Sequence, residues 1–227
     1  MGGSAAAFLH SACSVGGIAN MADEVWAINA TGAVLQHDRA FCMDDLRDTI
    51  PREAKEGKKV AQQMLEWIKK HPGPVYSSTA YPEYPSVVEF PIRDVLANIG
   101  GISYLNTTVA HAIAFAMYLG VQELGLYGCD YSYPDIHISE SGRGCAEFLL
   151  GIAVAKGMTL KLPPTTTLLD QNVPDDFRVY GYPRGLRVRM AGKDVHVQHG
   201  PFPTSTATGP VTGAATGTET TEAPHTP

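Results

Sequence analysis

From Asn106 to Leu162 the chain alternates helix-like and strand-like segments at a spacing that leaves few folds open. Asn106, Thr107 and Thr108 can cap a helix, residues 109–119 hold no helix breaker, and Gly120 can end that helix. Residues 123–128 then read as a short strand closed by Cys129 and Asp130. A second helix follows at about 144–156 and a further strand at 159–162. Crossovers of that length join parallel strands, and parallel strands are stable when helices cover both faces of their sheet. The segment therefore predicts an α/β fold with a Rossmann-like, mostly parallel sheet.

Upstream segments extend the same pattern. Val25 to Asn29 is a short apolar run ending in a polar residue, and 39–43 is a second run ending in Asp44 and Asp45. Residues 52–70 place Val60, Met64, Leu65, Trp67 and Ile68 among charged residues, which predicts one amphipathic helix stopped by His71, Pro72 and Gly73. Residues 74–78 and 87–90 read as strands, and 92–98 as a short helix. Later, 186–190 and 194–197 alternate around Ala191, Gly192 and Lys193, which predicts a small C-terminal β-hairpin. From Pro201 the chain is almost all Thr, Ala, Gly and Pro, a composition that cannot repay its ordering entropy. The expected organisation is a nucleotide-binding domain over 1–176, a hairpin over 177–200 and a disordered tail over 201–227.

Composition narrows the function classes. Of 227 residues, 44% are hydrophobic, enough for a real core, and the formal charge of -6 gives no general attraction to nucleic acid or anionic lipid. No apolar window reaches the ~18 residues of a membrane span, and the first residues lack a positive n-region, so the expectation is a cytoplasmic protein with no membrane partner. Cys13, Cys42, Cys129 and Cys145 are far apart and form no zinc-like spacing. They read as buried, reduced thiols, and no metal site is assigned. The small-residue helix at 109–119 could pack against a second copy in a homo-oligomer.

In open parallel sheets, ligands bind outside the carboxyl ends of the strands, where strand order reverses. Polar residues fall at four such ends: Asn29, Asp44 with Asp45, Ser77 with Ser78, and Asp130. Short, directional side chains there suit ribose hydroxyls and base edges, although each also suits a simple turn cap. Gly2, Gly3 and Ser4 form a Gly-rich turn into a helix of small residues, the arrangement by which backbone N–H groups approach phosphate. Such a turn normally follows the first strand of a sheet, so the natural start is expected upstream, with Met1 an internal methionine. Residues 128–144 run from a strand end through a polar loop to a helix start. In that loop His137, near Asp130 or Asp135, could take a proton at neutral pH, while tyrosines and Arg143 hold a leaving phosphate.

Taken in order, the Gly-Gly-Ser turn, VWAIN, and the stretch from Asn106 through GCDYSYPDIHISESG resemble a glycosyltransferase clan. It holds the metal-independent bacterial sialyltransferases and the Maf-like DUF115 proteins, and this chain looks like a small bacteriophage-type member. The resemblance covers about residues 1–170. Its most specific part is Gly-x-Asp-aromatic after a strand, with a His several residues on. It implies transfer of a sugar from a nucleotide-activated donor with no obligatory cofactor or metal. Gly2, Gly3 and Ser4 would touch phosphate or ribose, Asn29 the nucleotide, and Thr107 and Thr108 would lie beside it. Asp130 would contact nucleotide or sugar, Tyr131 or Tyr133 the departing phosphate, and His137 would be the base. The family's turn usually reads Gly-x-Gly-Pro-Ser, and this chain lacks the proline. The same clan includes Mg-dependent pterin diphosphokinases, for which Asp44 and Asp45 would be the metal ligands. A non-catalytic phage binding or virion-associated protein is the reading from another class. The acceptor could be DNA, protein or glycan, and a phage-encoded protein is expected in the host cytoplasm.

Overall fold

The computed structural model describes residues 3–174, Arg178 and the strand residues 186–191 and 194–199. Gly2 and the tail at 201–227 lie outside the described residues. Two units divide after Pro174.

In the first unit, helix α1 (Gly3–Ser14) comes first. Strands β1 (Trp26–Ile28), β2 (Arg39–Phe41), β3 (Val75–Ser77) and β4 (Val87–Glu89) then form one sheet in the order β1-β2-β3-β4, all parallel. Helices α2 (Thr49–Lys55) and α3 (Lys59–Lys70) connect β2 to β3. Helices α4 (Ile92–Asn98) and α5 (Thr108–Leu119) lead to β5 (Glu123–Gly125), helix α6 (Ile136–Ala155) and β6 (Thr159–Lys161). Strands β5 and β6 pair in parallel as a second, smaller sheet. The fold is α/β and Rossmann-like. In the first sheet the spatial order follows the sequence from β1 to β4, and among the described residues no strand pairing joins that sheet to β5 and β6.

The strands alternate between two cores because successive side chains leave opposite faces. Phe41 and Tyr76 join Trp26, Phe90 and Phe115 of α5 in an aromatic cluster on one face. There the Phe41 and Phe115 centroids are 5.6 Å apart, and those of Tyr76 and Phe115 are 4.8 Å apart. Ala40 and Val75 face the other way, onto Ala61, Met64 and Ile68 of α3. Both faces of the four-stranded sheet are thus covered, as parallel strands require. The smaller sheet turns Leu124 and Leu160 toward the α5 and α6 core and leaves Glu123, Thr159 and Lys161 exposed.

Local physics corrects two helix boundaries. Residues 52–70 are two helices, not one, because Gly57 takes φ 87°, a left-handed conformation that ends α2. The last long helix begins at Ile136, well before the expected 144. Asp135 caps it, its carboxylate accepting from the N–H groups of His137 (2.9 Å) and Ile138 (3.3 Å). Elsewhere Thr107 caps α5 through its hydroxyl, and Gly120 closes that helix at φ 71°. All four cysteines are free. Cys42 and Cys145 are buried and Cys129 half-buried, but Cys13 is exposed on α1, against the expectation for a core thiol. Among the described residues no helix is long and apolar enough to cross a membrane.

In the second unit, β7 (Leu186–Ala191) and β8 (Asp194–His199) pair antiparallel as the C-terminal hairpin, with Leu186 opposite His199 and Ala191 opposite Asp194.

Candidate functional site at the carboxyl ends of the strands

One group of expected site residues converges where α1 begins. Ser4 is fully buried. Its N–H donates to Asp130 Oδ2 at 3.3 Å, and its hydroxyl oxygen accepts from the Gly128 N–H at 2.7 Å. The Asp130 carbonyl in turn accepts from the Thr167 hydroxyl. The loop after β5 is therefore pinned from two sides, and the Asp130 carboxylate sits at the positive end of α1. A phosphate arriving there would compete with that carboxylate for the Ser4 N–H.

Tyr131 follows at φ 46°. Its phenol shares a hydrogen bond with Thr107 Oγ1 at 3.2 Å, and burial pushes its ionisation well above the usual tyrosine value. The ring lies so close to Gly142 of α6 that a Cβ there would be 2.5 Å from it. Tyr131 thus locks the start of α5 to α6, while Tyr133 is exposed and tied by its backbone to Ser139. Thr107 accepts from the Ala110 N–H, and its carbonyl accepts from His111 Nδ1 at 2.9 Å. Thr108 is buried in the first turn of α5.

His137 occupies the first turn of α6 rather than a loop, and it is exposed. Among the described residues its backbone N–H is hydrogen-bonded, and no hydrogen bond engages its ring. Arg143 does not face an open phosphate position. Its guanidinium pairs with Glu147 at 2.7 Å and with Asp170 at 2.5 Å.

The second group lies along the larger sheet. Asn29, Cys42 and Ser77 each come one residue after the in-register trio Ile28, Phe41 and Tyr76. Asn29 leaves β1 at φ 49°, held by Thr31, whose hydroxyl oxygen accepts from the Ile28 N–H and whose O–H donates to the Ile28 carbonyl. Burial, and next the charge of Asp44, push the Cys42 thiol up to about 12, so it stays neutral beside Ser77. Asp45 is a turn cap, its Oδ1 accepting from the N–H groups of Arg47 and Asp48. Asp44 is held above the usual carboxylate range by loss of water around it and then by Glu53. Ser78 is exposed.

Four buried side-chain polar atoms among the described residues have no hydrogen-bond partner: Asn29 Oδ1, Ser77 Oγ, Asp130 Oδ1 and Trp67 Nε1. Asn29 directly follows β1 and Ser77 is the last residue of β3, whereas β5 ends at Gly125, short of the expected 128, and leaves Asp130 in the loop five residues on. A buried polar atom without a partner costs roughly 1–3 kcal/mol, so each of these marks a place where a polar ligand would repay that cost. Among the described residues no hydrogen bond links Asn29 to the Asp130 cluster. The sequence pointed to Asn29, Ser77 and Asp130 as strand-end polar residues. It did not single out Thr167, whose only signal was a threonine run after β6.

No protein-family model matches this chain, and no curated protein or solved structure does either.

Proposed function

We propose that the protein is a glycosyltransferase-like enzyme that binds a nucleotide-activated sugar along the carboxyl ends of β1 to β3 and β5, and transfers the sugar to an acceptor hydroxyl. The observation that carries the reading is the set of unpartnered buried polar atoms Asn29 Oδ1 and Ser77 Oγ at the ends of β1 and β3, and Asp130 Oδ1 in the loop that follows β5. Asn29 and Ser77 suit a base edge and ribose hydroxyls. Asp130, anchored through Oδ2 to Ser4, turns its second oxygen to a sugar or ribose hydroxyl. The His137 ring, uncommitted on the exposed first turn of α6, acts as general base toward the acceptor, and the positive end of that helix favours the departing phosphate. Thr107, Thr108 and Tyr131 hold the α5 and α6 ends in place. Gly2, Gly3 and Tyr133 remain candidates for phosphate. The resemblance to the DUF115 and bacterial sialyltransferase clan, as a phage-type member, supports the same assignment.

A thermal-shift screen tests it. CMP or UDP added without metal should raise the melting temperature, and Asn29→Ala should abolish the rise. Stabilisation by ATP only with Mg²⁺ would instead favour the diphosphokinase. Once a donor is found, His137→Ala should lower turnover by about a hundredfold or more. Unchanged turnover would reject the assigned base and favour a non-catalytic binding protein.

A further inference from the structure

Residues 29–38, which cross from β1 to β2, are fastened to the end of α3 by two histidines whose protons the geometry dictates. His37 Nδ1 is 2.6 Å from the Leu35 carbonyl oxygen, which can only accept, so Nδ1 carries the hydrogen and Nε2 is bare. His71 Nδ1 accepts from the Gly73 N–H at 2.9 Å, so in the neutral ring the hydrogen is on Nε2. The two Nε2 atoms are 2.8 Å apart, and His71 donates to His37. The ring planes differ by 12° with centroids 4.9 Å apart. Face-to-face rings would keep their planes about 3.5 Å apart, more than the nitrogen contact, so the rings meet edge to edge.

All four ring nitrogens are engaged, and the pattern admits no further proton. One added to His37 Nε2 would point at the His71 N–H, and one added to His71 Nδ1 would point at the Gly73 N–H. Trp67 stands edge-on to both rings, at 6.1 and 5.3 Å, and its indole lies against Gly32, where a Cβ would fall 2.7 Å away. The crossover that carries Asn29 is thus gripped at Gly32 and His37.

We propose that His37 and His71 form a pH-sensitive clasp, closed while both imidazoles are neutral and opened by protonation, which frees the β1-to-β2 crossover from α3. Other groups around the pair leave this unchanged. Lys69 and Lys70 in the last turn of α3 are exposed, the Asp38 Oδ2 accepts from the Val25 N–H, and the titratable neighbour that bears on His71 is His37 itself. Burial, and then His37, hold the His71 proton affinity below the ordinary value of 6.5. The clasp therefore contributes fully above that value and is lost as pH falls through the lower folded value. Because the crossover carries Asn29, opening reaches the proposed nucleotide site. That last step rests on the functional reading; the clasp itself is tested without ligand.

The test is a double-mutant cycle of His37→Ala and His71→Ala, read by urea unfolding at pH values about one unit above and below the histidine range. Effects of the remaining histidines cancel in the cycle. At the higher pH the coupling should be about fivefold in the unfolding equilibrium constant, and it should vanish at the lower. Absent coupling, or coupling equal at both, overturns the clasp. Nitrogen NMR of the unmodified protein guards against variants that do not fold. At neutral pH it should find His37 protonated on Nδ1 and His71 on Nε2, and any other tautomer pair refutes the proposal.

Discussion

Helix α6 contains two glycines that should respond in opposite directions to the same substitution. Glycine inside a helix costs about 1 kcal/mol relative to alanine, so Gly→Ala is normally stabilising there. Gly151 is exposed, and a Cβ added to it would meet nothing within 4 Å, so Gly151→Ala should stabilise by about 0.5–1 kcal/mol. Gly142 is buried. A Cβ there would sit 2.5 and 2.8 Å from Tyr131 ring carbons and 3.3 Å from Thr107 Cγ2. The ring cannot simply swing out, because its hydroxyl is held by Thr107 and its backbone sits at φ 46°. Overpacking of this kind costs roughly 1–3 kcal/mol, and loss of the Tyr131 to Thr107 hydrogen bond adds about 1. Set against the helical gain, Gly142→Ala should destabilise by about 1–3 kcal/mol. With a urea m-value of roughly 2 kcal/mol/M, the two variants' midpoints should separate by about 1–2 M. A Gly142→Ala midpoint at or above that of the unmodified protein would refute the packing of Tyr131 between α5 and α6.

Two further outcomes follow from the charges and thiols. Arg39 grips Glu24 through two hydrogen bonds, at 2.6 and 2.9 Å, and holds its carboxyl down to about 2. The lowered value makes this contribution present above the ordinary 4.5 and lost as pH falls toward 2, so acid unfolding of Glu24→Gln should show a shallower dependence across that window. The side chain is 39% exposed, so water screening keeps the difference at or below about 1 kcal/mol. Alkylation of the native protein, followed by peptide mass analysis, should modify exposed Cys13 first. Cys42 and Cys129, their thiols pushed up to about 12 chiefly by burial, should react only after unfolding.

Much of the fold was legible because parallel strands buried on both faces leave short apolar runs, and their helices carry strong end signals. Gly120 and the Asn106 to Thr108 cap signal bounded α5 in the sequence, and the structure resolves the cap to Thr107. The break at Gly57 was hidden because apolar periodicity runs on through both α2 and α3, and only the backbone angle shows the interruption. The early start of α6 was hidden because 136–143 mixes Ser, Gly and His, poor helix formers, and the Asp135 cap decides against that composition. At the candidate site, strand-end logic pointed to Asn29 and Ser77, which do stand at the ends of β1 and β3, and to Asp130, which lies in the loop beyond β5. It could not show that Arg143 is also spoken for by Asp170, or that Ser4 already holds the Asp130 carboxylate. Those are contacts between residues 27 and 126 positions apart.

Backbone NMR shift mapping with CMP or UDP shows whether a nucleotide lies along the carboxyl ends of these strands. Perturbed amides should cluster at Asn29, Ser77 and the segment from Asp130 to His137. Amides at the opposite strand ends, near Val25, Arg39 and Thr159, should stay still. A cluster at those opposite ends, or no response to any nucleotide, would contradict that placement.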